Sequence, residues 1–91
     1  MRYEFKASFD RTMSRLDHVR RQRVASSVEA VIDYFETGGR PAGLGLKQLR
    51  KPFWEVRASI QDRIVFALED DLVPFVLAGS HDEIKRFLKR L

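Results

Sequence analysis

Residues 3–9 read Tyr-Glu-Phe-Lys-Ala-Ser-Phe. Tyr3, Phe5, Ala7 and Phe9 alternate with Glu4, Lys6 and Ser8, which is the period of a half-buried strand. Asp10 can then cap a short helix in which Phe9, Met13 and Leu16 fall on one face. Asp17 is a second N-cap candidate. Beyond it Val24, Val28, Val31, Ile32 and Phe35 recur at helical spacing. This predicts a long amphipathic helix over about 17–37, ending at Gly38-Gly39, where glycine accepts the left-handed C-cap conformation. The two helices are expected to form a hairpin laid across a sheet.

Residues 38–45 hold four glycines and a proline and read as the one long loop. It lacks the Gly-Lys-Ser/Thr ending of a phosphate-cradling loop and follows a helix, not a strand. After a bridging stretch, Leu46 to Pro52, come three strand signals at 53–60, 62–68 and 72–78. The breaks between them are short, with Glu69-Asp70-Asp71 as a hairpin turn, so an antiparallel meander is expected. Pro74 cannot donate to a ladder and should lie at a strand start, a bulge or an edge. Ser80 and Glu83 have the spacing of a capping box, and Ile84, Phe87, Leu88 and Leu91 form a stripe behind it. The predicted order is β-α-α-β-β-β-α. It is an α+β fold, with an antiparallel sheet, the helical hairpin on one face, a C-terminal helix, and the helices gathered on one side.

Composition narrows the class. The chain has 91 residues, too few for two cores, so one domain over 1–91 is expected. Hydrophobic residues make up 44%, too many for a disordered chain. No apolar run reaches the ~20 residues of a membrane span. The N-terminal residues alternate polar and apolar and carry no apolar core of a signal peptide, so a cytoplasmic domain away from membranes is expected. The absence of cysteine excludes disulfides, thiolate zinc sites and thiol nucleophiles. Lys and Arg number 17 against 13 Asp and Glu, a net charge of +4, which points to an anionic partner.

Strand alternation sorts the polar residues. Trp54, Val56, Ala58 and Ile60 make one face of the first meander strand, and Glu55, Arg57 and Ser59 the other. In the next strand Ile64, Phe66 and Leu68 point inward, leaving Arg63, Val65 and Ala67 on the helix-free face. That face therefore collects Glu55, Arg57 and Arg63, with Lys47 on the lead-in and His81 just after the third strand. Singly, each reads as a solvated residue, and Glu55 as a cross-strand ion-pair partner. Together, cations around one histidine suit phosphodiester cleavage of RNA. A base takes the 2′-OH proton, the oxygen attacks phosphorus, arginine forks stabilise the phosphorane, and an acid protonates the departing 5′-oxygen. That chemistry needs no metal or other cofactor, and the sequence offers no cluster of metal ligands.

The run from Leu46 to His81 resembles the RelE/ParE superfamily of type II toxins, small basic β-α-α-β-β-β proteins. The matching parts are the Leu46-Lys47-Gln48-Leu49 lead-in, the Phe53–Arg57 and Asp62–Leu68 strands, the acidic turn and the Leu77–His81 ending. The helical hairpin of 10–37 fits as well. The resemblance implies two functions. RelE, YoeB and YafQ branches cleave mRNA on the ribosome, whereas the ParE branch inhibits DNA gyrase without cleaving. A degenerate antitoxin-binding module is a third possibility. Carried over by position, Arg63 matches a phosphate-stabilising strand arginine of the nuclease branches, Arg57 matches the arginine that ends the preceding family strand, Lys47 loosely matches a functional lysine, and His81 matches a catalytic histidine after the last strand. Three departures stand out: Leu44-Gly45 replace a glutamate base, Phe66 replaces a common tyrosine, and Asp82 follows His81. Glu55 and His81 remain the candidate bases. The family also implies a cognate antitoxin as partner. An acidic amphipathic segment of it would suit Lys85, Arg86, Lys89 and Arg90, while Arg11, Arg15, Arg20, Arg21 and Arg23 could meet ribosomal RNA or water.

Overall fold

The computed structural model describes residues 1–39 and 44–91. The chain runs β1 (Arg2–Phe5), α1 (Ala7–Ser14), α2 (His18–Thr37), β2 (Lys47–Gln48), β3 (Phe53–Arg57), β4 (Arg63–Ala67), β5 (Leu72–Gly79) and α3 (His81–Lys89). The α+β order is the predicted one with one strand added. The five strands form one sheet in the order β1-β5-β4-β3-β2. The meander β3-β4-β5 is antiparallel, but β1 runs parallel to β5, so the sheet is mixed. The helical hairpin makes this possible by carrying the chain from one sheet edge, β1, to the other, β2.

The long helix is set by its ends. Asp17 accepts a hydrogen bond from the Arg20 amide at 2.9 Å, and Gly38 closes the helix at φ 77°, a value that suits glycine. At the other end of the chain, Ser80 and Glu83 form the full reciprocal capping box. The first helix departs from expectation. The strand ends at Phe5, Lys6 is the N-cap without a side-chain bond, and Ala7–Phe9 are already helical. Asp10 is therefore inside the first turn, not the cap. The cause is packing: Phe5 and Phe9 meet at 5.5 Å between ring centroids, and both lie against Phe75.

The sheet carries a core on each face, which corrects the expectation that all helices gather on one side. On one face α1, α2 and the turn between them bury Phe9, Leu16, Val24, Val28 and Val31 against Val56, Ile64, Phe66 and Phe75. On the other, Ile84 of α3 packs on Val65 and Leu77, with Phe53 and Phe87 edge to face at 5.2 Å. Val65 and Ala67 are thus buried rather than open. Strand alternation requires this second layer, because the β4–β5 rows place apolar side chains on both faces.

The other strand expectations shift at their ends. β3 stops at Arg57, and Ile60 sits on the following turn at 96% exposure, away from the apolar face. Leu68 lies past the end of β4 and is exposed, as is Leu91 at the end of the α3 stripe. The acidic turn holds as read: Glu69 and Leu72 exchange backbone bonds of 2.9 and 2.8 Å around Asp70, which takes φ 51°. Pro74 lies within β5, an interior strand, close to the register shift between Val65 and Phe66. Part of the loop expected over 38–45 falls on 40–43, outside the described residues. Among the described residues no helix is long and apolar enough to cross a membrane.

Candidate functional site

The sheet register aligns the polar face into rows. Lys47 pairs with Glu55, and Glu55 with Val65, which pairs with Leu77. The next row is Arg57, Arg63 and Gly79. Two arginines directly opposite each other repel. Glu55 offsets this from the diagonal position: its Oε2 lies 3.2 Å from the Arg63 Nε. The pair is well shielded, with side-chain exposures of 20% for Arg63 and 11% for Glu55, and Arg57 stays exposed beside it. This is the cross-strand ion pair that alternation allowed.

His81 enters through β5. Gly79 is the partner of Arg63, and the chain continues through Ser80, the α3 N-cap, to His81 as the first helical residue. The histidine is exposed. Among the described residues no hydrogen bond or ion pair ties it to the arginines. The structure thus unites Lys47, Glu55, Arg57 and Arg63 on one face and sets His81 at the end of the row that holds the two arginines. That face is not helix-free, however. α3 covers its Val65–Leu77 portion, so the open part is the β2–β3 side.

Gly79 leaves room for the capping box. A Cβ there would come within 2.9 Å of the Glu83 carboxyl group, which accepts from the Ser80 amide at 3.1 Å. The close approach of the capping box to the strand end fixes the first turn of α3, and with it the position of His81.

A second device holds Arg63 from the other side. Asp62 is fully buried immediately before it, and Arg20 of α2 grips both carboxylate oxygens at 2.8 and 2.6 Å. The Asp62 carbonyl also accepts from the Ala58 and Ser59 amides, and the Ser59 hydroxyl accepts from the Gln61 and Asp62 amides. The hydrogen bond to Asp62, helped by the nearby charges of Asp62, Asp17 and Glu83, holds the Arg20 guanidinium above its already high ordinary pKa. The β3–β4 turn is therefore anchored to the start of α2. Sequence reasoning missed this pair, and placed Arg20 among residues for RNA or water, because nothing local links residues 42 apart.

The basic residues of α3 divide. Arg86 and Arg90 face α1, where Arg11 and Arg15 meet them across a groove of about 370 Å³, while Lys85 and Lys89 stand outside it. Sequence reasoning assigned the two helices' cations separately.

Comparison with known proteins gives a consistent picture of the fold. No family model matches the chain, and no curated protein matches it in sequence. Solved structures do match. A chain of the E. coli DinJ–YafQ complex superposes with a TM-score of 0.72 at 16% identity, covering 92% of this chain and 98% of that one. A chain of the RelB–RelE antitoxin–toxin complex from Methanococcus jannaschii gives 0.69 at 14% identity, covering 92% and 96%. The YoeB/ParE toxin from Agrobacterium tumefaciens gives 0.67 at 13% identity, covering 89% and 99%. At these identities the likeness speaks for architecture alone: the chain has the α+β fold seen in the RelE, YafQ and YoeB/ParE toxin structures.

Proposed function

We propose that the chain is the toxin of a type II toxin–antitoxin system and acts as a ribosome-dependent mRNA endonuclease. The observation that carries this reading is the row Arg57–Arg63–Gly79, with His81 two residues beyond it and Lys47 at the neighbouring edge. A phosphodiester laid on the open β2–β3 side would meet the Arg57 and Arg63 guanidiniums, suited in shape to phosphate oxygens, and the Lys47 ammonium. The 2′-oxygen, losing its proton to a base, bonds to phosphorus. The bond to the 5′-oxygen breaks, and that oxygen takes a proton from an acid. The products are a 2′,3′-cyclic phosphate and a 5′-hydroxyl. Arginines stabilise the extra charge of the phosphorane between these steps. His81 and Glu55 are the two groups at this face able to move the protons. The reading places the action in the cytoplasm, with mRNA on the ribosome as substrate and no small-molecule cofactor. A cognate antitoxin is the expected protein partner, by analogy with the neighbours described as toxin–antitoxin complexes.

Induced expression tests it. The wild-type chain should arrest translation, and His81→Ala and Arg63→Ala should each restore growth. Full toxicity of both variants would sink the nuclease reading. One observation favours a second reading: Arg63 is already held by Glu55 and only one-fifth exposed. A chain acting by binding, as a ParE-like gyrase inhibitor, would keep that pair intact. It would provoke DNA-damage signalling with mRNA uncut.

A further inference from the structure

We infer that Glu55 is a positioning residue: its carboxylate holds the Arg63 guanidinium by the Nε edge and so aims the Nη edge at the phosphate on the open β2–β3 side. The inference deepens the nuclease reading and rests on it for the identity of that phosphate, a phosphodiester of RNA. The contact between the two side chains is independent of it.

The main chain of Arg63 is already fixed. Arg63 pairs with Arg57 on one side and with Gly79 on the other, and Asp62 just before it is gripped by Arg20. What remains free is a long side chain with several rotatable bonds. Glu55 restricts it from the diagonal position. Its Oε2 lies 3.2 Å from the Arg63 Nε, and both side chains are largely shielded from water. A guanidinium carries one N–H on Nε and four on its two Nη atoms. A contact at Nε therefore occupies one edge and leaves the other fork for phosphate oxygens. Among the described residues no other ion pair or hydrogen bond engages the Arg63 side chain.

Charge explains why a single carboxylate belongs here. Lys47, Glu55, Val65 and Leu77 form one row across the sheet, and Arg57, Arg63 and Gly79 the next. Glu55 is the only carboxylate in the two rows. Lys47 lies directly across from it, Arg57 two residues along its own strand and Arg63 on the diagonal. It offsets the repulsion between the opposed arginines and still leaves the rows net cationic, able to receive an anion. The same geometry speaks against Glu55 as the group that takes the 2′-OH proton. The residue is only 8% exposed, and its carboxylate is turned to Arg63. His81 is exposed and is left to exchange a proton with the substrate. Glu55 acts through Arg63, whose guanidinium stabilises the phosphorane only when held in place.

The test is single-turnover cleavage of a short mRNA on programmed ribosomes by the wild type, Glu55→Gln and Glu55→Ala. Both changes remove the charge, but only glutamine keeps an oxygen to which Nε can donate. Glu55→Ala should cut about 10- to 100-fold more slowly at saturating ribosome. Glu55→Gln should be at least about tenfold faster than Glu55→Ala. In an Arg63→Ala background, Glu55→Ala should change the rate by less than about twofold, because its effect passes through Arg63. Equal loss in the glutamine and alanine variants would make Glu55 the base and overturn the inference. So would an undiminished Glu55→Ala loss in the Arg63→Ala background, which is also what misfolding produces. NMR of the Arg63 Nε–H reads the contact without any cleavage. The signal should be sharp in the wild type and Glu55→Gln, and should shift there on adding a uridine dinucleotide with a 2′-methoxy group, which cannot be cut. In Glu55→Ala it should be lost to averaging; an unchanged signal would equally overturn the inference. If the wild type leaves the message uncut while the Arg63 signal follows this pattern, the nuclease reading falls and the positioning role of Glu55 is upheld.

Discussion

Arg20→Ala should be among the most damaging single changes outside the apolar core. It strips the partner from a fully buried carboxylate that holds two short hydrogen bonds, 2.8 and 2.6 Å, to one guanidinium. Breaking a buried pair from one side costs about 3–5 kcal/mol, because the remaining charge stays desolvated. The Arg20 side chain keeps 28% of its exposure, so water reaches the vacated side, and the low end, about 3 kcal/mol, applies. For a domain of this size that is a large share of a total of roughly 5–14 kcal/mol. It lowers Tm by roughly 12–24 °C. Asp62→Ala should cost less, about 1–2 kcal/mol, since the freed guanidinium can turn to solvent. The double variant should show a coupling of about 1.5–3 kcal/mol. Urea unfolding followed by circular dichroism, with the slope checked for constancy, gives all three values. A cost below about 1 kcal/mol for Arg20→Ala, or strict additivity of the pair, would refute the claim that this contact anchors the β3–β4 turn.

Gly79→Ala should destabilise by about 1 kcal/mol by pushing the Glu83 carboxyl out of the capping box. In a Glu83→Ala background the same change should cost clearly less, as paired thermal melts would read. Ile60→Ser should move stability by no more than about 0.5 kcal/mol, since the side chain is almost wholly exposed; a larger loss in the same unfolding assay would place Ile60 back in a core. The Arg2 hydrogen bond and charge are the main causes that hold the Asp71 carboxyl below its ordinary value of 3.8, a shift that carbon-detected NMR titration should register and Arg2→Gln should reduce. Because the folded value is the lower one, the stabilisation is complete above the unfolded value and fades as pH falls through the folded one.

How much of this was legible in the sequence depended on how local the cause was. The ends of α2 and α3 could be read because Asp17, Gly38 and the Ser80–Glu83 pair act within one turn of themselves. The start of α1 could not. Over so few residues, alternation cannot be told from the i, i+4 contact of Phe5 with Phe9, and tertiary packing on Phe75 decides for the helix. β2 has two residues, too few to show a period. At the candidate site, alternation placed Glu55, Arg57 and Arg63 together, with Lys47 only on the segment leading in; its pairing with Glu55 came from the two-residue β2. Alternation did not show that α3 would cross the same face, since an apolar stripe does not say which side of a sheet it covers. The Arg20–Asp62 pair and the groove between α1 and α3 join segments far apart in the chain, and their separate halves look like ordinary exposed charges.

The central claim is that the Arg57–Arg63 row with His81 cuts RNA, and mapping the ends of cellular mRNA after induction tests it most directly. The account predicts new cuts within translated frames, leaving 2′,3′-cyclic phosphate and 5′-hydroxyl ends, present with the wild-type chain and lost with His81→Ala. Toxicity with intact mRNA, or the same cuts at the same yield from His81→Ala, would contradict it.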